Sequence, residues 1–252
     1  MERQESFAAA GLKGLKVRMQ WASVVLTCSN VETFEVEITG TDCDQDISSI
    51  TLKAEAGTLS VMQPVTFSGL TGAHKKLQVR IFVPTFWKGA IDTRTVTGSM
   101  EAMGLRGTDV SLATVTGALD AASMEAICLT GKSVTGQIHM ADTACESLKL
   151  RNVSGNITAD ACDFRTAHCC SISGDCTLQA TGTFDSVSAS GLTGHMMLYI
   201  PFAKADALLR AASGRLRTDG VNLVGDAPLV RMHTVSGNLI INNNSNQEND
   251  YI

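Results

Sequence analysis

Five glycines, each closing a polar–aliphatic–polar–Gly tetrapeptide, fall at Gly98 (TVTG), Gly117 (TVTG), Gly136 (SVTG), Gly155 (NVSG) and Gly174 (SISG), always 19 residues apart. A looser form follows at Ala211–Gly214 (AASG) and Thr234–Gly237 (TVSG), with SVSAS at Ser186–Ser190 between them and Gly174. A fixed period of this length marks a solenoid, in which each repeat buries its apolar side only against its neighbours.

Composition decides what fills the coil. Ser, Thr, Val and Ile favour strands, and a glycine in every repeat would weaken a helix. The residue two beyond each glycine is again mostly apolar (Met100, Leu119, Ile138, Ile157, Cys176), which is the two-residue period of a strand. The sequence therefore predicts an all-β fold, a parallel β-helix-like solenoid of about 19-residue coils with an N-terminal β cap. Val96, Val115, Val134, Val153 and Ile172 are expected to point inward as one ladder. Leu105, Met124 and Cys162 form a second inward column, and Val110, Leu129, Leu148 and Ala167 a third. The flanking pairs, such as Thr95 with Thr97 and Thr114 with Thr116, then stand outward as two hydroxyl rows, and each glycine turns a corner.

The chain divides by pattern into residues 1–90, a cap and first strands of less regular spacing; 91–241, the repeats, continuous with the first part as one unit; and 242–252, an aperiodic, solvated tail. SGLTG occurs at Ser68–Gly72 and Ser190–Gly194, and each copy precedes an alternating strand that ends at Pro84 or Pro201. Proline cannot donate to a ladder, so these blocks mark corners where the solenoid changes path.

These features together, T-V-S-G-x-I/L coils and alternating strands ending in Val-Pro or Ile-Pro, resemble the bacterial DUF4097 putative-adhesin family of toast-rack domains, over roughly Lys16 to Ile241. The resemblance implies an all-β solenoid-like domain without established enzymatic activity, often tethered to or exported across bacterial membranes and associated with envelope-stress sensing. It supplies no catalytic, cofactor or metal residues. The N-terminus carries no signal-peptide pattern and no apolar run reaches the roughly 18 residues of a membrane span, so the chain reads as cytoplasmic.

A net charge of −5 without any run of Lys or Arg argues against nucleic acid or an anionic membrane surface as partner, and against direct membrane insertion. The eight cysteines lack CxxC pairing and read as reduced. Cys128, Cys145 and Cys162, 17 residues apart, share strand parity and are expected to face the core. Asp42, Asp44 and Asp46 imitate the start of a calcium loop, but Ile47 and Lys53 occupy its glycine and glutamate positions. Cys162, His168, Cys169, Cys170 and Cys176 are zinc-type ligands, yet Cys169 and Cys170 must face opposite ways on a strand. A carbohydrate-active β-helix is the alternative function; it requires paired acids, whereas Asp109, Asp120, Asp160 and Asp163 sit at unlike coil positions. Trp87 is expected to pack in the cap. The reading reached is a non-enzymatic, adhesin-like interaction or scaffold protein without cofactors. Its partner would be a protein or envelope-derived ligand, and a solenoid edge could pair two chains into a homodimer.

Overall fold

The computed structural model describes residues 2–41, 44–64 and 76–244, and these are overwhelmingly strand. One coil explains the rest. The strand Arg106–Thr116 lies in one sheet, the chain turns at Gly117, the strand Leu119–Ala122 lies in a second sheet, and a further bend returns it to Glu125–Lys132 beside the first strand. Parallel pairing carries Val110 onto Leu129, Leu148 and Ala167, and Leu119 onto Ile138, Ile157 and Cys176, so the period in the sequence is the register of both sheets. The bend after the short strand is a second clock the tetrapeptide does not reveal. Gly104, Ser123, Asp142 and Ala161 all adopt left-handed backbone there, a conformation L residues tolerate singly.

The glycine corners stack so closely that a side chain has nowhere to go. A Cβ placed on Gly155 would lie 2.4 Å from the carbonyl oxygen of Gly136, and the same contact recurs along the column through Gly194 and Gly237.

The inward ladder predicted at the valines is reversed. Val96, Val115, Val134, Val153 and Ile172 are 39–45% exposed, and the residues before them, Thr95, Thr114, Ser133, Asn152 and Ser171, are buried. Alternation from Val110 to Val115 is unbroken: Val110, Leu112 and Thr114 face in, so Val115 faces out. The buried polar column is useful at the corner because it satisfies carbonyls of the coil below. Thr95 Oγ1 donates to Ala22 O (3.0 Å), Thr114 Oγ1 to Gly98 O (3.2 Å) and Asn152 Nδ2 to Gly136 O (2.7 Å). Of the two expected outward hydroxyl rows, only that of Thr97, Thr116 and Thr135 stands outside, and these hydroxyls donate to carbonyls of the preceding coil. The other two predicted columns are buried.

Cysteine parity also needs correction. Cys162 is buried and Cys145 packs on the core, but Cys128 pairs with Ser147 in an outward column, because burial passes from Ala126 to Leu129 within the strand and the extra residue, Ile127, shifts the alternation. The described cysteines are all free thiols.

Both ends depart from simple stacking. The coil made of Gly14–Arg18 and Ser23–Ser29 sits between Thr58–Met62/Lys76–Pro84 on one side and Ala90–Thr97/Met100–Met103 on the other. At the far end, Leu229–Ser236 and Leu239–Asn243 are inserted between Ser186–Thr193/Met196–Ile200 and Lys204–Ser213/Leu216–Asp219. After Pro84 and again after Pro201 the chain skips over one such inserted coil, which is the change of path the prolines announced. The earlier SGLTG copy, at 68–72, lies outside the described residues. Strand continues through Asn242 and Asn243, two residues into the segment expected to be tail, where they pair with Tyr199 and Ile200.

Antiparallel strands cap the N-terminal end: Glu2–Ala8 and Lys76–Pro84 flank Thr33–Thr41, and Thr51–Glu55 pairs with Thr58–Met62. Asp44 and Asp46 belong to a short helix, Asp44–Ser49, that buries Ile47, while Asp42 is outside the described residues. Trp87 is buried in the cap, edge-on to Phe34 at 5.0 Å, with Nε1 donating to Leu12 O.

Candidate interaction face

Beside the outward column of Asp109, Cys128, Ser147, Thr166, Ser186 and Asp206, the sheet of long strands presents three more nearer the glycine corner. Nearest the glycine corner runs the aliphatic ridge of Val96, Val115, Val134, Val153, Ile172 and, beyond Leu192, Val235. Two residues earlier on each strand, register aligns Arg18, Arg94, Ala113, Lys132, Arg151, Cys170, Ser190, His233 and Arg210 into a single file. Two residues earlier again stand Lys16, Lys149 and Arg231, with Asp92.

Chain order scatters these cations from Lys16 to Arg231, so no basic run exists; the coil collects them. Arg94, Lys132 and Arg151 differ by 38 and 19 residues, and writing the sequence in rows of 19 would have shown them as a column. Asp92 is shared by Arg18 and Arg94, the latter at 3.3 Å. Among the described residues no carboxylate forms an ion pair with Lys132, Lys149, Arg151, Arg210 or Arg231. The field registers on His168, whose pKa is held below the ordinary imidazole value by burial and then by Arg151 and Lys149. Its Nδ1 lies 2.8 Å from Ser188 Oγ.

The opposite sheet carries the other sign. Glu101, Asp120 and Asp160 project from it, with His139 between the two aspartates: Nδ1 is 3.7 Å from Asp120 and Nε2 is 3.3 Å from Asp160. These groups are each about half exposed on an outer face, whereas glycoside hydrolysis needs its acid pair flanking a bond held in a groove.

A concavity of about 900 Å³ lies at the capped end against Trp21, Thr39 and Gln78, and Glu2 is its one carboxylate among the described residues. Asp109, Asp120, Asp160 and Asp163 stay on different columns. Cys169 is buried, Cys170 and His168 face outward, and no group of three His, Cys, Asp or Glu converges as a metal would need among the described residues. No helix among them is long and apolar enough to cross a membrane.

Two parallel sheets wound into a solenoid, with regular outward columns, define the protein as an all-β repeat protein of the toast-rack type. Residues 6–249 match the family model Toastrack DUF4097, and the chain belongs to that family. Solved structures share the fold. A putative adhesin from Bacteroides fragilis is 13% identical, with 96% of this chain and 97% of that one covered at a TM-score of 0.59. One from Parabacteroides distasonis is 10% identical with the same coverage and TM-score. Another, from Parabacteroides merdae, is 11% identical over 95% of each chain at 0.51. No curated protein matches the sequence.

Proposed function

We propose that the protein is a non-enzymatic interaction scaffold, adhesin-like, that offers a rigid stacked-strand face to a protein or envelope-derived ligand in bacterial envelope-stress signalling, with a partner supplying the membrane anchor. The observation that carries this reading is the long-strand sheet: outward columns of like residues run coil after coil, held by the backbone ladders of two sheets. The acids that do meet, Glu125, Glu146 and Asp163 beside Arg165 and Glu101 with Asp120 beside His139, line small open concavities of about 370 and 270 Å³. Such a surface is pre-organised, so binding costs little ordering entropy. The names given to the similar structures, putative adhesins and not enzymes, agree with it.

Affinity capture with the tagged chain from a membrane-containing lysate tests it. Recovery of one stoichiometric membrane-associated protein supports the reading; recovery of none refutes it. Among the described residues the end strand Lys204–Ser213 pairs from Asp206 onward with Leu229–Ser236 alone, leaving an edge for a second copy. A dimer mass in light scattering is expected, and a monomer at all concentrations removes that part.

A further inference from the structure

We propose that the outer face of the long-strand sheet docks on the surface of an anionic phospholipid bilayer. Its file of cations would meet headgroup phosphates while the aliphatic ridge rests in the interface. This deepens the scaffold reading by naming the envelope-derived ligand as lipid, and rests on it.

Three observations converge. The cation file carries Arg18, Arg94, Lys132, Arg151 and Arg210 along the full height of the stack, and the last three have no carboxylate partner among the described residues. Arg18 with Arg94, and Lys132 with Arg151, stand on neighbouring strands about 4.8 Å apart, inside the roughly 8 Å over which salt screens charge, so each pair acts on an anionic plane together and Lys149, on the strand of Arg151, joins the second; Arg210, four strands beyond Arg151, adds its charge separately. The ridge runs beside the file over seven coils, roughly 30 Å by the same spacing, and its side chains are 39–53% exposed. An apolar strip that long, level and parallel to a row of cations matches a plane with charge at the surface and hydrocarbon beneath. Lastly, Glu101, Asp120 and Asp160 stand on the opposite sheet, while on the docking sheet Asp92 is held by Arg18 and Arg94 and the other acids, Asp109, Glu125, Glu146, Asp163 and Asp206, lie at the strand ends away from the ridge, so an anionic plane favours the ridge side of this sheet.

Nucleic acid fits less well. The three columns contain no Phe, Tyr or Trp on which bases could stack, and they expose no helix or ribbon to enter a groove.

The test uses the purified full chain and sedimentation with large vesicles of phosphatidylcholine, with or without phosphatidylserine. Binding is expected only with phosphatidylserine, and to weaken as salt rises. K132E/R151E should cut it at least about 25-fold, at roughly five-fold per cation removed. V134T/V153T, which keeps every charge, should weaken it less but measurably, and E101K on the other face should not weaken it. Both double variants must keep the wild-type circular dichroism and melting temperature; Lys132→Gln and Arg151→Gln serve as milder substitutions if the reversals do not fold. Equal binding to both vesicle types, no binding to either, or an unchanged affinity for K132E/R151E overturns the proposal. So does tight binding of duplex DNA without any vesicle binding. If vesicles are ignored while the membrane protein is still captured, the lipid inference alone has failed; if vesicles bind and no protein is captured, the anchor-partner reading has failed instead.

Discussion

Gly155→Ala should be among the most damaging small substitutions in this chain, and its cost separates into two parts that can be measured apart. Gly155 has φ +117°, a region L side chains rarely occupy, and the added Cβ would lie 2.4 Å from Gly136 O and 2.9 Å from the carbonyl carbon. The backbone term is about 1–3 kcal/mol and the overlap, relieved only by moving one coil off another, about 1–3 kcal/mol more. The sum is about 2–6 kcal/mol, a large part of the net stability of a domain. Gly11 is the control. It has φ +82° with nothing within 4 Å of its would-be Cβ, so Gly11→Ala carries the backbone term alone, about 1–2 kcal/mol. Urea unfolding followed by circular dichroism gives both values, provided the slope of free energy against denaturant stays constant between variants. Equal losses at the two positions, or a loss below about 1 kcal/mol at Gly155, would refute the claim that close stacking of corners excludes a side chain.

Leu112→Ala should cost about 2–5 kcal/mol, whereas Val115→Thr, three residues on, should stay within about 0.5 kcal/mol; thermal melts of the pair check the inverted parity directly. Thr114→Val removes the hydroxyl bonded to Gly98 O and should lose about 1 kcal/mol, while Ser133→Ala, deleting a buried hydroxyl without a partner, should be neutral or stabilising. Burial pushes the Cys162 thiol up to about 11 from 9.0. Between those values the folded chain keeps a proton the unfolded chain has lost, so stability is intact below pH 9 and falls as pH rises, by up to about 2–3 kcal/mol at 1.4 kcal/mol per unit. Denaturation midpoints on either side of that window, in wild type and Cys162→Ala, should show the slope and its reduction.

The period was legible because backbone stacking imposes it on side chains: a corner that admits only glycine must recur once per coil. Facing was harder to read, although the information was present. Val110 and Val115 are separated by an odd number, so one uninterrupted strand cannot turn both inward; apolar character suggested burial for each, and the alternation along Arg106–Thr116 decides for Val110. Cation clustering was invisible for a related reason. Runs along the chain are a poor guide where neighbours in space are 19 residues away, as Lys132 and Arg151 are. The order of coils could not be read at all, since the TVSG at Thr234–Gly237 announces a coil but not that it lies between two coils made earlier. Only Pro84 and Pro201 hinted at it.

The inserted coils have a consequence for how the chain acquires its structure during synthesis. As residues 204–219 leave the ribosome, the place beside Ser186–Thr193 must stay open, because Leu229–Ser236 will occupy it. A nascent chain that filled that place at once with Lys204–Ser213 would strand its last coil outside. Likewise Gly14–Arg18, emerging first, acquires neither neighbour until Thr58–Met62 and Ala90–Thr97 have appeared. The coil from Gly14 and the C-terminal coil are thus held waiting or threaded last, so neither can leave the finished stack without parting from two neighbours, and fraying from the N-terminus stops at the edge strand Glu2–Ala8. Pausing or truncation just after residue 219 should yield a misregistered product, detectable as protease-sensitive chains in a translation arrest experiment.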